Sequence, residues 1–263
     1  VIFFTVKELD YGNVVSRKQA KVKLAETLWM TLKCRPFRMQ LLMKLPYAMG
    51  TSMVGALGYY DTVYYVCRGS LGEGAVWNFR MGMSGMAFGF LGIPVFVFAA
   101  RRLGKRYAVM LILSAAIMVF VCTWWLYNPE IRWLQIFASV LIAFTGAGFW
   151  MMDGSIRADV IDYDELETGK RREGAFVACD SWISKVGMAI GAGASGIILS
   201  ATGFDATLGG NQTEHSLFMI RFLLAAVPIV GISVGLFMIY IFPLTPQKMA
   251  EIRTKLEARR GKV

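Results

Sequence analysis

Seven ionisable residues interrupt apolar stretches that are otherwise long enough to fill a bilayer: Lys44, Asp61, Arg80, Asp153, Asp180, Lys185 and Arg221. Lys185 is the most informative. It lies about ten residues into its stretch, hence ~15 Å deep at the rise of an α-helix. An ammonium at that depth costs roughly 2.5–3.5 kcal/mol on insertion scales. It is expected to face a water-filled path or a partner carboxylate, the alternative being a purely structural ion pair. Ser181, one turn earlier, puts a hydroxyl on the same face. Asp153 and Asp180 lie nearer one end of their stretches, where each either lines a polar pathway or forms a helix-end ion pair. Asp61, near the opposite end of its own stretch, is expected to bind substrate or to contact interfacial water. Lys44 and Arg221 stand close enough to an interface to snorkel and are assigned no role.

The elements that must hold these residues are transmembrane helices. Of 263 residues, 56% are hydrophobic and only 17% charged, whereas a soluble domain carries about 25% charged residues. An ordinary cytosolic enzyme, a disordered chain and a disulfide scaffold are excluded. A spanning helix needs about 20 apolar residues, and six such stretches run approximately 42–67, 75–100, 107–127, 133–157, 175–201 and 217–242. The expected fold is therefore an all-α membrane protein with a six-helix bundle over residues 42–243. Residues 1–6 read as the end of a preceding membrane helix. Residues 7–41 read as a loop containing a basic amphipathic helix, with Leu24, Leu28 and Leu32 along one face and Lys21, Lys23 and Lys33 able to reach lipid phosphate. Residues 244–263 form a basic tail.

Lysines and arginines set the orientation. In an alternating six-span layout 23 of the 28 fall on one side, which makes both ends of this segment cytoplasmic. Tyr59, Tyr60, Tyr64, Tyr65, Trp77, Trp124, Trp125, Tyr127 and Trp133 gather toward the other side, as an interfacial belt does. Membrane lipid is thus an expected partner, and nucleic acid is not.

Other signals carry less. The four cysteines, Cys34, Cys67, Cys122 and Cys179, are scattered, and His215 is the only histidine, so no metal site or cofactor is indicated within the segment. Gly191–Gly196 fits GxGxxG, but no strand precedes it. Its Gly-Ala-Ser-Gly resembles an intramembrane protease motif but lacks a histidine base within reach. Gly187, Gly191 and Ser195 repeat a small residue every four positions, which close helix approach explains. Asn211-Gln-Thr213 is a glycosylation sequon of a kind that arises by chance. The linker Ala158–Gly174 holds six of the 18 acids. It is expected to be a solvated loop or a gate latch in which Asp159, Asp162, Asp164, Glu165, Arg171 and Glu173 pair with another bundle and release on opening.

With these residues set out, the chain resembles the C-terminal half of the glycoside–pentoside–hexuronide:cation symporters, a branch of the major facilitator superfamily. The specific signature is Asp159-Val-Ile-Asp162-Tyr-Asp164-Glu165 running on to Gly169-Lys-Arg171-Arg172-Glu173-Gly174, which looks like that family's cytoplasmic loop before helix eleven. Lys185 falls where the family carries its intramembrane lysine. Trp150 matches a sugar-stacking tryptophan, Ser181 matches a hydroxyl position, and Arg101–Arg106 resembles the basic turn between helices eight and nine without its acidic residue. Asp153 departs from the pattern, standing where the sugar carriers have an uncharged polar group, which would suit a cationic or more hydroxyl-rich ligand.

The resemblance implies helices seven to twelve of a twelve-helix fold in the plasma (inner) membrane. It further implies uptake of a sugar or glycoside driven by Na⁺ or H⁺ through alternating access against an N-terminal six-helix half. Trp150, Asp153, Ser181 and Lys185 would bind substrate and Lys185 would also couple. The cation itself would be held mainly by aspartates of helices two and four, which this segment does not contain. Two rivals remain: a Na⁺-coupled lysophospholipid carrier of the same superfamily, and a six-span scaffold that transports nothing. No constellation supports an enzyme.

Overall fold

The computed structural model describes residues 24–260. The expectations for residues 1–23 and for the last three residues lie outside the described residues. Helix α1 spans Leu24–Lys33. Cys34 then takes an extended conformation, and α2 runs Arg35–Tyr60 with Pro36 in its first turn, where a missing N–H costs nothing. A π-helical turn, Asp61–Val66, continues α2. Helix α3 (Leu71–Leu103) opens on an N-cap in which the Ser70 hydroxyl accepts from the Glu73 N–H. The chain turns into α4 (Lys105–Leu126) at Gly104. Its φ of 89° lies where a side chain is strained. Helices α5 (Leu134–Thr168), α6 (Glu173–Ala201), α7 (Glu214–Tyr240) and α8 (Pro246–Arg260) complete the chain. A short 3₁₀ turn, Ala206–Leu208, lies between α6 and α7.

Among the described residues, α3 to α7 are long and apolar enough to cross a membrane. Helix α2 is long but falls short in hydropathy, because Arg35, Arg38, Gln40 and Lys44 dilute it. It is nonetheless the helix most enclosed by others. The packing order is α6–α2–α7–α4–α5–α3, with α3 also touching α4. Phe37, Met43, Phe149, Phe176 and Ile232 bury fully in the main core, and Leu57, Tyr127 and Leu224 lead a second cluster at the far end from α8.

The stripe Gly187, Gly191, Ser195 is buried against α2, as its spacing predicts. A Cβ on Gly191 would run into the Met49 carbonyl, so the two backbones touch. The linker expected over Ala158–Gly174 is mostly helix instead. Helix α5 continues to Thr168 and stops at Gly169, which takes a left-handed conformation. Acids at 159 and 164 alternate with buried Val160 and Ile161, so that stretch keeps a helical apolar face. Four of the five phenylalanines of α3 (Phe79, Phe88, Phe90 and Phe98) are exposed, and Phe96 is buried. A surface of that kind belongs in lipid.

Candidate functional site

The main polar feature inside the bundle gathers side chains from three helices. Lys44 of α2 is 3% exposed. Its ammonium donates to Asp153 Oδ2 of α5 at 2.8 Å and to Asp180 Oδ2 of α6 at 2.7 Å. Gln40, one turn earlier on α2, donates to Asp153 Oδ1 at 2.9 Å and to the Asp153 carbonyl at 3.0 Å. Arg157, one turn beyond Asp153, donates to Asp180 Oδ2 as well. Two acids and two bases therefore neutralise one another. Asp180 Oδ1 and Gln40 Oε1 remain buried without a hydrogen-bond partner among the described residues.

This arrangement corrects the reading of Lys44 as a snorkelling residue without a role. Its α2 position faces α5 and α6 rather than an interface, because Met43, Tyr47 and Ala48 around it are core residues. The signal was present in the sequence: two aspartates inside spans require compensating cations, and Gln40 and Lys44 share one helical face at i, i+4. It also changes the expectation for Asp153. Its charge is already matched by Lys44, which removes the argument that the acid selects a cationic ligand.

Trp150 stands one turn before Asp153 on α5 and is 40% exposed. The Lys44 ammonium lies 5.2 Å from its ring centroid, within cation–π range. Tyr47 stacks on Phe149 at 3.6 Å and meets Trp150 edge-on at 6.1 Å. The ring is thus fixed from behind while its other side stays open.

Ser181 and Lys185 are both exposed, whereas the Gly187–Gly191–Ser195 stripe of α6 is buried. Neither makes a hydrogen bond or ion pair among the described residues. The structure therefore draws Trp150 and Asp153 together around Lys44 and does not bring Ser181 or Lys185 into contact with them. Along the Lys185 face the neighbours Ala178, Ala189, Ala192 and Gly196 are small, while Trp182 and Met188, each three positions from Lys185, are large and exposed.

The acids placed in the gate find partners within this same bundle. Asp159 accepts from Lys105 at 2.7 Å and from Arg253 of α8 at 3.0 Å. Arg172 grips Asp164, with Nε donating to Oδ2 at 3.0 Å. Arg171 lies 3.6 Å from Glu165 and 3.2 Å from Glu173. Asp162 lines a cavity of about 180 Å³ together with Arg157, Arg171 and Glu173. Among the described residues no group of three or more His, Cys, Asp or Glu is placed to hold a metal ion.

Comparison with known proteins bears directly on this arrangement. The family described as MFS/sugar transport protein matches residues 1–246. An uncharacterized symporter of Synechocystis sp. is 36% identical over 143 residues, covering 51% of this chain and 26% of the relative. The isoprimeverose transporter of Lactiplantibacillus pentosus is 28% identical over 200 residues, covering 74% and 40%. A glucuronide carrier protein homolog of Escherichia coli is 32% identical over 123 residues, covering 46% and 26%. The chain thus spans 40% or less of the length of these relatives, all of which carry the names of transporters and not of enzymes. On the family match over nearly its whole length, this chain is an integral membrane protein belonging to the MFS/sugar transport protein family.

Proposed function

We propose that this chain is the C-terminal bundle of a cation-coupled symporter for a sugar or glycoside, working by alternating access against a second bundle. One observation carries the reading: Lys185, in the middle of a membrane helix, is exposed and has no ionic partner among the described residues. The acids inside α5 and α6, Asp153 and Asp180, are matched by Lys44 and Arg157. An ammonium left facing lipid would cost roughly 2.5–3.5 kcal/mol. Contact with a second bundle or with an aqueous cavity would remove that cost. Carboxylates of a companion bundle, available only when no cation occupies them, would pair with Lys185 in one state and release it in another. That difference between states is what coupling requires.

Trp150 supplies the apolar ring on which a pyranose face packs, and Ser181 supplies a hydrogen-bonding hydroxyl. Asp153 acts indirectly, by holding the Lys44 ammonium behind Trp150. The relatives' names, a symporter, an isoprimeverose transporter and a glucuronide carrier homolog, support a saccharide as substrate. Positive charge at the end bearing α1 and α8 supports a cytoplasmic location for that end in the plasma (inner) membrane. Asp159 and Asp164, each already held within this bundle, would keep the end rigid. Asp162, Glu165, Arg171 and Glu173 line its rim, where the second bundle would close.

The test is Lys185→Ala in the full-length protein in membrane vesicles. Concentrative uptake should be lost while solute exchange down its gradient persists. Normal accumulation in that variant would overturn the reading. Competition between glycosides and lysophospholipids for uptake separates the sugar carrier from a lipid carrier.

A further inference from the structure

Asp61 differs from every other acid buried in the bundle. Asp153, Asp159, Asp164 and Asp180 each hold at least one cation. Asp61 is 1% exposed, and both of its carboxyl oxygens are sealed from solvent with no hydrogen-bond partner among the described residues. It opens the π-helical turn that continues α2, a backbone irregularity that recurs at functional sites. Thr62, the next residue, donates to Gln135 Oε1 at 3.2 Å, which leaves Gln135 Nε2 buried and unpartnered as well.

The cation on the neighbouring helix is Arg221 of α7; its Nη2 is engaged elsewhere and its Nε is buried without a hydrogen-bond partner among the described residues. Its guanidinium lies 4.0 Å from the ring centroid of Tyr65 and 4.4 Å from that of Trp124. Its Nη2 donates to the Trp124 carbonyl at 2.7 Å. No ion pair joins it to Asp61. A carboxylate buried in this way with no partner carries an uncompensated desolvation cost, which such groups avoid by becoming neutral. Neither oxygen is reachable by a water molecule, so a hydrated metal cation does not fit against them. A proton requires no extra room.

We propose that Asp61 is a proton-binding site of this half, a carboxyl held as the neutral acid that gives up its proton when water reaches it. Tyr127 lines two cavities at this end of the bundle. One, of about 420 Å³, also touches Gly58 and Asn78. The other, of about 410 Å³, also touches Tyr65 and Arg221. Gly58 is three residues before Asp61, and a Cβ there would stand 3.6 Å from the Tyr127 hydroxyl. On release water from the neighbouring cavity enters the turn, the carboxyl O–H bond breaks, the electron pair stays on the carboxylate, and that water becomes hydronium. Arg221 then faces a full negative charge and stabilises it. The charged and titratable groups around the turn are Arg221 from α7 and Tyr127 from the end of α4. Glu73 of α3 is matched by Arg132. The existence of the site does not depend on the carrier reading; only its use in coupling rests on that.

Infrared difference spectroscopy on the full-length protein in lipid, across a pH jump, tests the site directly. At neutral pH a carboxylic-acid C=O band is expected that vanishes in Asp61→Asn. Because asparagine matches the neutral acid in size and charge, the melting temperature of this variant should stay at the wild-type value. In Arg221→Gln the band should persist to higher pH, since the group that stabilises the anion is gone. A band unchanged in Asp61→Asn, or the absence of any acid band at neutral pH, overturns the proposal. Solute-driven alkalinisation by proteoliposomes reads the coupling separately. Its loss in Asp61→Asn supports proton symport through this residue. Its persistence, with the band assigned to Asp61, leaves the site standing and overturns its use in coupling.

Discussion

Lys44 and Asp180 stand 136 positions apart in the chain and meet at 2.7 Å in the interior of the bundle. The contact ties α2 to α6, and the same ammonium reaches Asp153 of α5 at 2.8 Å. One lysine thereby fixes three helices around a point directly behind Trp150.

Removing that ammonium strands two buried acids, and Arg157 can still serve only one of them. Lys44→Ala should lower stability by about 3–5 kcal/mol, as breaking a buried ion pair does. Thermal unfolding in detergent reads the loss. Adding Asp153→Asn to Lys44→Ala should recover much of it, because the remaining Asp180 keeps Arg157. A double variant no more stable than Lys44→Ala would show that the pair is not energetically coupled.

Trp150→Ala should raise the KM for a glycoside more than Trp150→Phe does, since phenylalanine keeps a ring over the Lys44 ammonium. Transport kinetics in vesicles distinguish the two. Equal KM values in both variants would remove Trp150 from the sugar site.

Where α6 crosses α2, Gly191→Val would press a side chain into the Met49 carbonyl. Overpacking of this kind costs about 1–3 kcal/mol. Gly193→Val, where a Cβ meets nothing within 4 Å, should be tolerated. The difference in melting temperature between the two variants checks the packing.

Asp159 binds Lys105 and Arg253 together, so Asp159→Asn should loosen α8 from the end of α5. Both cations are partly exposed and solvent screens the pairs, which limits the effect to about 1 kcal/mol. Faster amide hydrogen exchange along Pro246–Arg260, with the rest of the bundle unchanged, is the expected result.

In the loop after α6, Asp205 accepts from the side chain and the backbone N–H of Thr207, and these bonds hold its carboxyl below the usual carboxylate range. With the folded-state value lower than the unfolded one, the contribution is present above the ordinary carboxylate range and disappears as pH falls through the folded value. Thr207→Val should return the Asp205 titration toward the ordinary range in carboxyl-selective NMR.

The sequence by itself determined the apolar stretches, their helical state and the α6 small-residue stripe, because burial in lipid imposes a local rule on every segment. The ends were legible to within a few residues except at the start of α2, which begins at Arg35, and at the end of α5, where Val160 and Ile161 among acids hide a packed helical face inside a charged run. Trp150, Asp153, Ser181 and Lys185 were visible as polar or amphipathic intruders in apolar surroundings. Only the tertiary structure decided which intruders compensate one another. It assigned Lys44 to Asp153 and Asp180, left Lys185 open, and isolated Asp61 from Arg221. Each of those outcomes depends on the rotation and crossing of helices more than 100 residues apart in the chain, and hydropathy carries no information about which face a distant helix presents.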